Sequence, residues 1–211
     1  MARNHWFWAG ILAVVAASTF GCARQEPVAS STAPTATILP GLDESQLLDV
    51  NDRSFDLWEE TGAHATVVIF TRADCPVSNR YAPELRRLYH EFQPQGARIF
   101  LVYVDPKETS DSVRKHLEEY DYPCPGLRDP GHRLVREAGA TVTPEAVVFD
   151  AQQKITYRGR IDNLYTDFGK ARDEATTHEL ADALTATLAG KPVVEPETKA
   201  VGCYIGDLAK H

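Results

Sequence analysis

The residues of this sequence best equipped for chemistry are its four cysteines, Cys22, Cys75, Cys124 and Cys203. No two of them are spaced C-x-x-C, and no C-x-x-C-H occurs, so a vicinal disulfide and covalent haem attachment are both excluded. Cys22 follows an apolar N-terminal run, as the lipid-carrying cysteine of an exported lipoprotein does, and if it carries lipid three cysteines remain. An odd number in an exported protein implies at least one thiol that is free, reactive or only transiently paired. The cysteine count therefore points to redox chemistry.

Cys75 has the most informative surroundings of the four. It follows an apolar run that ends at Phe70 and the loop TRAD, and it precedes Pro76, a residue favoured in the first helical turn. Unpaired N–H groups at a helix start lower a thiol pKa. Arg72 lies close enough in sequence to add positive potential, although Asp74 opposes it. We therefore expect a reactive thiolate at Cys75; the alternative is a buried packing cysteine.

The elements that must position Cys75 alternate between strands and helices. Three short runs are apolar almost throughout, which favours central strands covered on both faces. A fourth run, KITYRGR, alternates polar and apolar residues and predicts an edge strand that forms a hairpin with the third run. The four predicted strands are 65–70, 98–104, 146–149 and 154–160.

Amphipathic spacing predicts three helices between and after these strands. One begins around Pro76 and carries apolar positions from Tyr81 to Phe92; a second follows capping residues 109–112. Thr176 and Glu179 match a capping box for the last helix, which Gly190 closes. These elements predict an α/β three-layer sandwich with a mixed central sheet over residues 41–192, followed by a tail, 193–211, that carries Cys203.

The N-terminus resembles a bacterial lipoprotein signal. Arg3 precedes an apolar run, 6–20, and the small residue Gly21 precedes Cys22, although Thr19 stands where that pattern has Leu. The run has 15 residues, fewer than the roughly 20 that a spanning helix needs. We predict a signal at 1–22 with lipidation of Cys22, a flexible tether at 23–40, and a periplasmic domain held at a membrane.

Net charge limits the partners. The chain has 22 basic and 30 acidic residues, giving −8; removal of residues 1–21, whose only charged side chain is Arg3, leaves 21 and 30, or −9. Nucleic acid is therefore not an expected partner. The sequence contains no Gly-rich phosphate loop, so no nucleotide cofactor is predicted. Seven histidines show no metal-binding spacing, so no metal site is predicted and most are expected on helix surfaces.

The segment FTRADCPVSN resembles the active-site segment of the thioredoxin-like superfamily, and Thr143-Pro144 resembles its cis-proline loop. With DCPVSNRYAPE, YRGRIDN and VGCYI, residues 42–190 look like a redoxin of the alkyl hydroperoxide reductase and thiol-specific antioxidant group, in an exported bacterial branch. The resemblance implies a thioredoxin-like fold in which Cys75 attacks. The implied substrate groove contains Thr71, Arg72, Ser78, Thr143 and Pro144. Glu145 directly follows Pro144, so it either lines this groove near Cys75 or lies at a solvent-facing strand end.

Three departures narrow the implied activity. Ser78 stands where thioredoxins have their second cysteine, Arg72 where peroxiredoxins have Thr, and Pro144 where peroxiredoxins have Arg. Thiol–disulfide exchange with protein or small-molecule thiols and disulfides therefore ranks above peroxide reduction.

Three chemistries remain open for Cys75. A distant cysteine could resolve its intermediates, with Cys203 preferred because its tail is Gly-flanked and Cys124 second because prolines bracket it. Cys75 could instead act as a monothiol that external thiols resolve. The third reading is non-catalytic: copper handling by Cys75 with Cys203 and a histidine, or docking to a metalloprotein.

Overall fold

The computed structural model describes residues 46–59 and 62–206, and the predicted signal, Cys22 and the tether lie outside them. The three apolar runs form the centre of one sheet. β2 (Ala65–Thr71) pairs parallel with β3 (Ala97–Tyr103) and antiparallel with β6 (Glu145–Asp150). Parallel and antiparallel neighbours on one strand make the sheet mixed, as predicted.

Within residues 46–59 and 62–206, the sheet has six strands in the order β1-β4-β3-β2-β6-β7. The alternating run forms β7 at the sheet edge, hairpin-paired with β6, so that prediction is confirmed. Two-stranded pairings join β5 to β10 and β8 to β9. The remaining strands are β1 (Leu48–Asp49), β4 (Gly126–Arg128), β5 (Val142–Thr143), β7 (Ile155–Gly159), β8 (Tyr165–Asp167), β9 (Lys170–Ala171) and β10 (Cys203–Tyr204).

The helix predicted from about Pro76 is present but interrupted at Tyr81, which caps one short helix and starts the next. The second predicted helix has a capping box, in which Thr109 and Ser112 bond each other's backbone N–H groups. In the part of the chain described, no helix is long and apolar enough to cross a membrane. The helices are α1 (Pro76–Arg80), α2 (Ala82–Phe92), α3 (Ser110–Glu119), α4 (Arg133–Ala138) and α5 (Glu179–Leu188), with a 3-10 turn at Gln93–Gln95.

The capping box predicted for α5 is wrong. The helix begins at Glu179 and its N-cap, His178, makes no side-chain capping bond. Thr176 is held elsewhere, because its hydroxyl accepts from Asn163 Nδ2 at 2.8 Å and its N–H donates to Asn163 Oδ1 at 2.8 Å. Tertiary hydrogen bonds to one asparagine thus replace the local cap.

The sheet separates two hydrophobic cores. Alternate residues of each central strand face opposite cores, as strand geometry requires. The first core contains Ala146 and Val148 with Cys75 and residues of α2, α3 and α5; the second contains Val147 and Phe149 with residues of α4. Cys75 therefore belongs to the face covered by three of the longer helices.

Residues 193–206 of the tail pack against the domain. The backbone of β7 bonds to it at Arg158, whose N–H donates to Pro196 at 2.9 Å and whose carbonyl accepts from Thr198 at 3.0 Å. Further on, Ile205 is 6% exposed in the second core. The sequence predicts only a tail here, because a two-residue strand leaves no periodicity.

Candidate active site

Cys75 lies four residues beyond the end of the central strand β2 and is the N-cap of α1. Its N–H donates to the Arg72 carbonyl at 3.2 Å, which closes the loop, and its own carbonyl accepts from Asn79 at 3.0 Å. The side chain is 1% exposed. The predicted strand-to-helix position is therefore present, with the sulfur buried.

A second sulfur lies directly against it. β10 pairs antiparallel with β5 so that Cys203 is opposite Thr143, and the Thr143–Pro144 peptide bond is cis. The Thr143 carbonyl lies 3.1 Å from Cys75 Sγ and accepts its S–H when that thiol is protonated. Cys203 Sγ lies 2.7 Å from Cys75 Sγ. The cis-proline loop thus aligns both thiols.

Two glycines allow the tail to approach the sheet this closely. A Cβ at Gly202 would overlap the Thr143 carbonyl oxygen and lie 2.6 Å from its carbon. At Gly159, where φ is +152°, a Cβ would overlap Thr198 of the tail. These are backbone contacts that cannot easily give way, so only glycine permits this path.

The two thiols have opposite pKa shifts. Burial raises the pKa of Cys75, but hydrogen bonds from Cys203, from the side chain and backbone N–H of Ser78 and from the side chain of Thr143 outweigh it, and the net pKa is lowered. The Ser78 hydroxyl is buried and has no competing hydrogen-bond partner, so it is available to donate to a Cys75 thiolate. Burial raises the pKa of Cys203 to about 12, and the hydrogen bond and charge of Cys75 add to that rise. Cys75 is therefore the more acidic thiol of the pair, and Cys203 holds its proton more firmly.

A buried polar chain that the sequence did not reveal supports the loop before Cys75. Tyr103 OH donates to His116 Nδ1 at 2.8 Å, His116 Nε2 lies 2.9 Å from Asn79 Oδ1, and Asn79 Nδ2 donates to the Ala73 carbonyl at 2.9 Å. Burial lowers the pKa of His116. A neutral ring that accepts at Nδ1 and donates at Nε2 satisfies every partner in the chain.

Most of the histidines are predicted on helix surfaces, but His116 and His132 are buried, each 5% exposed. His116 comes three residues after Val113 and four before Tyr120, which places it on the inward face of α3. His132 Nε2 lies 2.6 Å from the Val104 carbonyl. Helical spacing was the signal that could have located the first of them.

Glu108 is a further site residue that the sequence did not indicate. Its Oε1 accepts from the Ala73 N–H at 2.7 Å, and its Oε2 is buried without a partner. Burial raises the pKa of this carboxyl to about 7, with Asp105 and Asp74 adding to the rise. Ala73 in the loop before Cys75 is thus held at its carbonyl by the Asn79 amide and at its N–H by the Glu108 carboxyl.

The other predicted groove residues divide between the site and the opposite face. Thr71 is a buried strand end, and Arg72 donates to Asp74 at 2.9 Å and to Asp105 at 3.2 Å. For Glu145, the position after Pro144 predicts either the groove beside Cys75 or a solvent-facing strand end. Glu145 lies two residues before Val147 on β6, so the two side chains face the same side of the sheet, toward the second core.

The Glu145 carboxylate has a structural task there. It is 5% exposed and accepts the N–H groups of Thr141 at 2.8 Å and Val142 at 3.3 Å. Arg158 Nε lies 4.0 Å from its second oxygen. Glu145 therefore holds the turn before the cis-proline and does not line a groove at Cys75.

Cys124 is separate from the pair. It is 3% exposed in the first core, and burial raises its pKa to about 12. Its electrostatic neighbours are the buried phenols of Tyr103 and Tyr122. The fold brings Cys203 rather than Cys124 to Cys75.

One cluster among the described residues has the composition of a metal site. Ligand atoms of Glu84, Asp162 and His178 lie within 4.8 Å of one another. Their oxygens already have protein partners, since Glu84 pairs with Arg87 and Asp162 accepts from Tyr81 at 2.7 Å. The cluster includes neither Cys75 nor Cys203, so ordinary ion pairing and hydrogen bonding account for it.

Comparisons with known proteins agree with this architecture. A crystal structure of an uncharacterised conserved protein from Geobacillus kaustophilus is 26% identical, with 79% of this chain and 89% of that one aligned at a TM-score of 0.67. A hypothetical protein from Sinorhizobium meliloti 1021 is also 26% identical, over 78% and 91% of the two chains, with a TM-score of 0.68. The comparison with curated proteins gave no match. The model of the AhpC/TSA family matches residues 32–158, well over half of the sequence, and the chain belongs to that family.

Proposed function

We propose that this protein is a thiol–disulfide oxidoreductase in which Cys75 is the nucleophile and Cys203 of the same chain is the resolving thiol. The observation that carries the proposal is the 2.7 Å separation of the two sulfurs. The opposite pKa shifts support the division of roles, because the thiolate is the attacking species in exchange.

The proposed cycle balances without a cofactor. The Cys75 thiolate attacks one sulfur of a substrate disulfide, forming a mixed disulfide and releasing the other sulfur as a thiolate. Cys203 then loses its proton and attacks Cys75 Sγ, which forms the Cys75–Cys203 disulfide and releases the second substrate thiol. Two substrate thiols are produced, and the protein carries the two oxidising equivalents.

The pKa of Cys203 favours this order of events. In the reduced pair, the neighbouring Cys75 sulfur contributes to the rise of that pKa to about 12. Once Cys75 is part of a mixed disulfide, its negative charge is gone and that contribution disappears. Cys203 therefore becomes a better nucleophile at the step that requires one.

Exposure favours Cys203 as the sulfur through which the disulfide is opened again. Cys75 is 1% exposed, whereas Cys203 is partly exposed. An incoming thiolate therefore reaches Cys203 first, and Cys75, with its lowered pKa, is the better leaving group. Attack by Cys75 on a bulky disulfide requires the tail to move aside.

Disulfide mapping tests the proposal. The purified chain is oxidised with excess hydroxyethyl disulfide, free thiols are alkylated, and peptides are identified by mass spectrometry. We expect a Cys75–Cys203 bond in the wild type and a stable mixed disulfide on Cys75 in Cys203→Ser. Cys124→Ala is the matched control and should form the wild-type bond. A free Cys75 after oxidation, or its pairing with Cys124, would refute the proposal.

Peroxide reduction is the second candidate, favoured by the burial of Cys75, which admits a small oxidant more readily than a protein disulfide. Peroxide would oxidise the Cys75 thiolate to a sulfenic acid, and Cys203 would displace water to form the same disulfide. Both reactions can be compared on one sample by measuring second-order rate constants for hydrogen peroxide and for hydroxyethyl disulfide. A much larger constant for peroxide would reverse our ranking.

We further propose that the protein is exported and anchored by lipid on Cys22. The support is the sequence order of a charged start, an apolar run and Gly21-Cys22. Metabolic labelling with an alkyne fatty acid should mark the wild type and not Cys22→Ser. Labelling of both proteins, or of neither, would rule out this anchor.

A further inference from the structure

A cavity of about 520 Å³ opens beside the resolving cysteine. Its walls come from the tail on one side and from the β8–β9 hairpin and its flanks on the other, and they include Cys203, while Cys75 does not line it. The volume is in the range of roughly 300–1,000 Å³ that holds small ligands. A small molecule in this cavity would meet the sulfur that we propose as the point of attack.

The charges on the cavity wall are unevenly paired. Arg160 donates to Glu179 at 3.0 Å, and Asp167 lies 3.7 Å from Lys170. Arg172 uses its Nε on the Asn163 carbonyl at 3.1 Å.

Arg172 and Lys199 form no ion pair with any carboxylate in the described ranges 46–59 and 62–206. Asp173 and Glu174 follow Arg172 in sequence, but they do not line the cavity. Two cations therefore face the cavity of a chain whose net charge is −8.

We propose that this cavity binds an anionic low-molecular-weight thiol, the reductant that reopens the Cys75–Cys203 disulfide. Arg172 and Lys199 hold its acidic group, and its sulfur reaches Cys203. The inference rests on the proposed function and adds the class of reductant. A carboxylate or sulfonate bonded to a guanidinium and an ammonium group makes charge-assisted contacts, which are the stronger hydrogen bonds.

The reduction balances with two molecules of thiol. The first thiolate attacks Cys203 Sγ, so a mixed disulfide forms there and Cys75 leaves as a thiolate. The second thiolate attacks the outer sulfur of that mixed disulfide, which yields the small-molecule disulfide and Cys203. Cys203 then takes a proton from solvent, and the protein is again the thiolate–thiol pair.

Reduction kinetics with thiols of different charge test the inference. The oxidised full chain is treated with 3-mercaptopropionate, 2-mercaptoethanol or cysteamine, which are anionic, neutral and cationic. Each rate constant is divided by the rate constant of the same thiol with hydroxyethyl disulfide at the same pH, which corrects for both its thiolate fraction and its intrinsic nucleophilicity. We expect the anionic thiol to exceed the cationic one by about tenfold, with the difference shrinking as salt is added.

Two double variants make the test local. R172Q/K199Q should abolish the preference for the anionic thiol, whereas K154Q/K191Q, which removes two exposed lysines that do not line this cavity, should keep it. Equal normalised rates for all three thiols in the wild type, or equal losses in both variants, would overturn the inference. If no Cys75–Cys203 bond forms or no thiol opens it, the proposed function itself fails, a result distinct from charge-independent reduction.

Discussion

Cys124 and Cys203 have the same raised pKa of about 12 and belong to two different regions of the molecule. Cys124 lies in the Pro-bracketed segment between α3 and β4, 3% exposed in the first core. Cys203 lies on the short strand that the tail adds to the cis-proline loop, partly exposed and 2.7 Å from Cys75. The two thiols therefore have equal pKa values although one is buried in a core and the other is partly exposed beside a second sulfur.

The cause of each rise distinguishes the two regions. Burial alone raises the pKa of Cys124, and burial persists as long as the protein is folded. Part of the rise at Cys203 comes from the neighbouring Cys75 sulfur, and that part depends on the chemical state of Cys75. A thiol whose pKa is raised by burial alone stays unreactive while the protein is folded. A thiol whose pKa is raised by a neighbouring thiolate becomes more reactive once that thiolate has formed a disulfide.

The largest expected effect is the loss of turnover in Cys203→Ser. An intramolecular thiol held in contact replaces an external one at high effective concentration, so its removal should slow disulfide turnover roughly 100-fold or more. Steady-state reduction of hydroxyethyl disulfide measures this effect. Cys124→Ala should retain wild-type turnover, and comparable losses in both variants would erase the distinction between the two regions.

The next effect depends on the path of the tail. Gly202→Ala places a methyl group against the Thr143 backbone, whereas Gly206→Ala meets no heavy atom within 4 Å. We expect closure of the Cys75–Cys203 disulfide to slow about tenfold in the first variant and to be unchanged in the second.

The same pair of glycine variants has a second readout. If the tail is displaced in Gly202→Ala, bulky maleimides should alkylate Cys75 faster than in the wild type, where its side chain is 1% exposed. Unchanged closure and alkylation rates in Gly202→Ala would mean that β10 does not align the sulfurs.

Much of the fold could be predicted because its central strands are long and nearly continuous in apolar residues. ATVVIF, RIFLVYV and AVVF stand out in the sequence, and they form β2, β3 and β6 within a residue or two. β5 and β10 have two residues each, too few to show any period. The pairing that joins the tail to the cis-proline loop was therefore invisible as a pattern.

The site was predictable where one residue type at one position carries the chemistry. Cys75, Pro144 and Cys203 could be proposed from motif and composition. Glu145 could not be placed, because the face on which a strand-end residue lies depends on register, and one residue of shift reverses it. His116 and Glu108 come from elements distant in sequence, and only the packed fold brings them to the Cys75 loop.

A third prediction concerns the pKa of Cys203. In Cys75→Ala the neighbouring sulfur is gone, so the pKa of Cys203 should fall below about 12, while that of Cys124 should stay there. Alkylation rates measured against pH, with peptide mapping to separate the two thiols, follow both groups. The Cys203 curve should move to lower pH and the Cys124 curve should not. Parallel movement of the two curves would show that burial governs both.

The smallest expected effect is on stability. Cys124→Ala removes a sulfur packed among buried side chains of the first core and should lower the free energy of unfolding by about 1 kcal/mol. Cys203→Ala removes a partly exposed sulfur and should cost less. Urea unfolding of the reduced proteins measures both, since reduction removes any contribution of a disulfide. A larger loss in Cys203→Ala than in Cys124→Ala would mean that the tail stabilises the fold through Cys203 itself. The contrast between a packing thiol and a redox thiol would then need another basis.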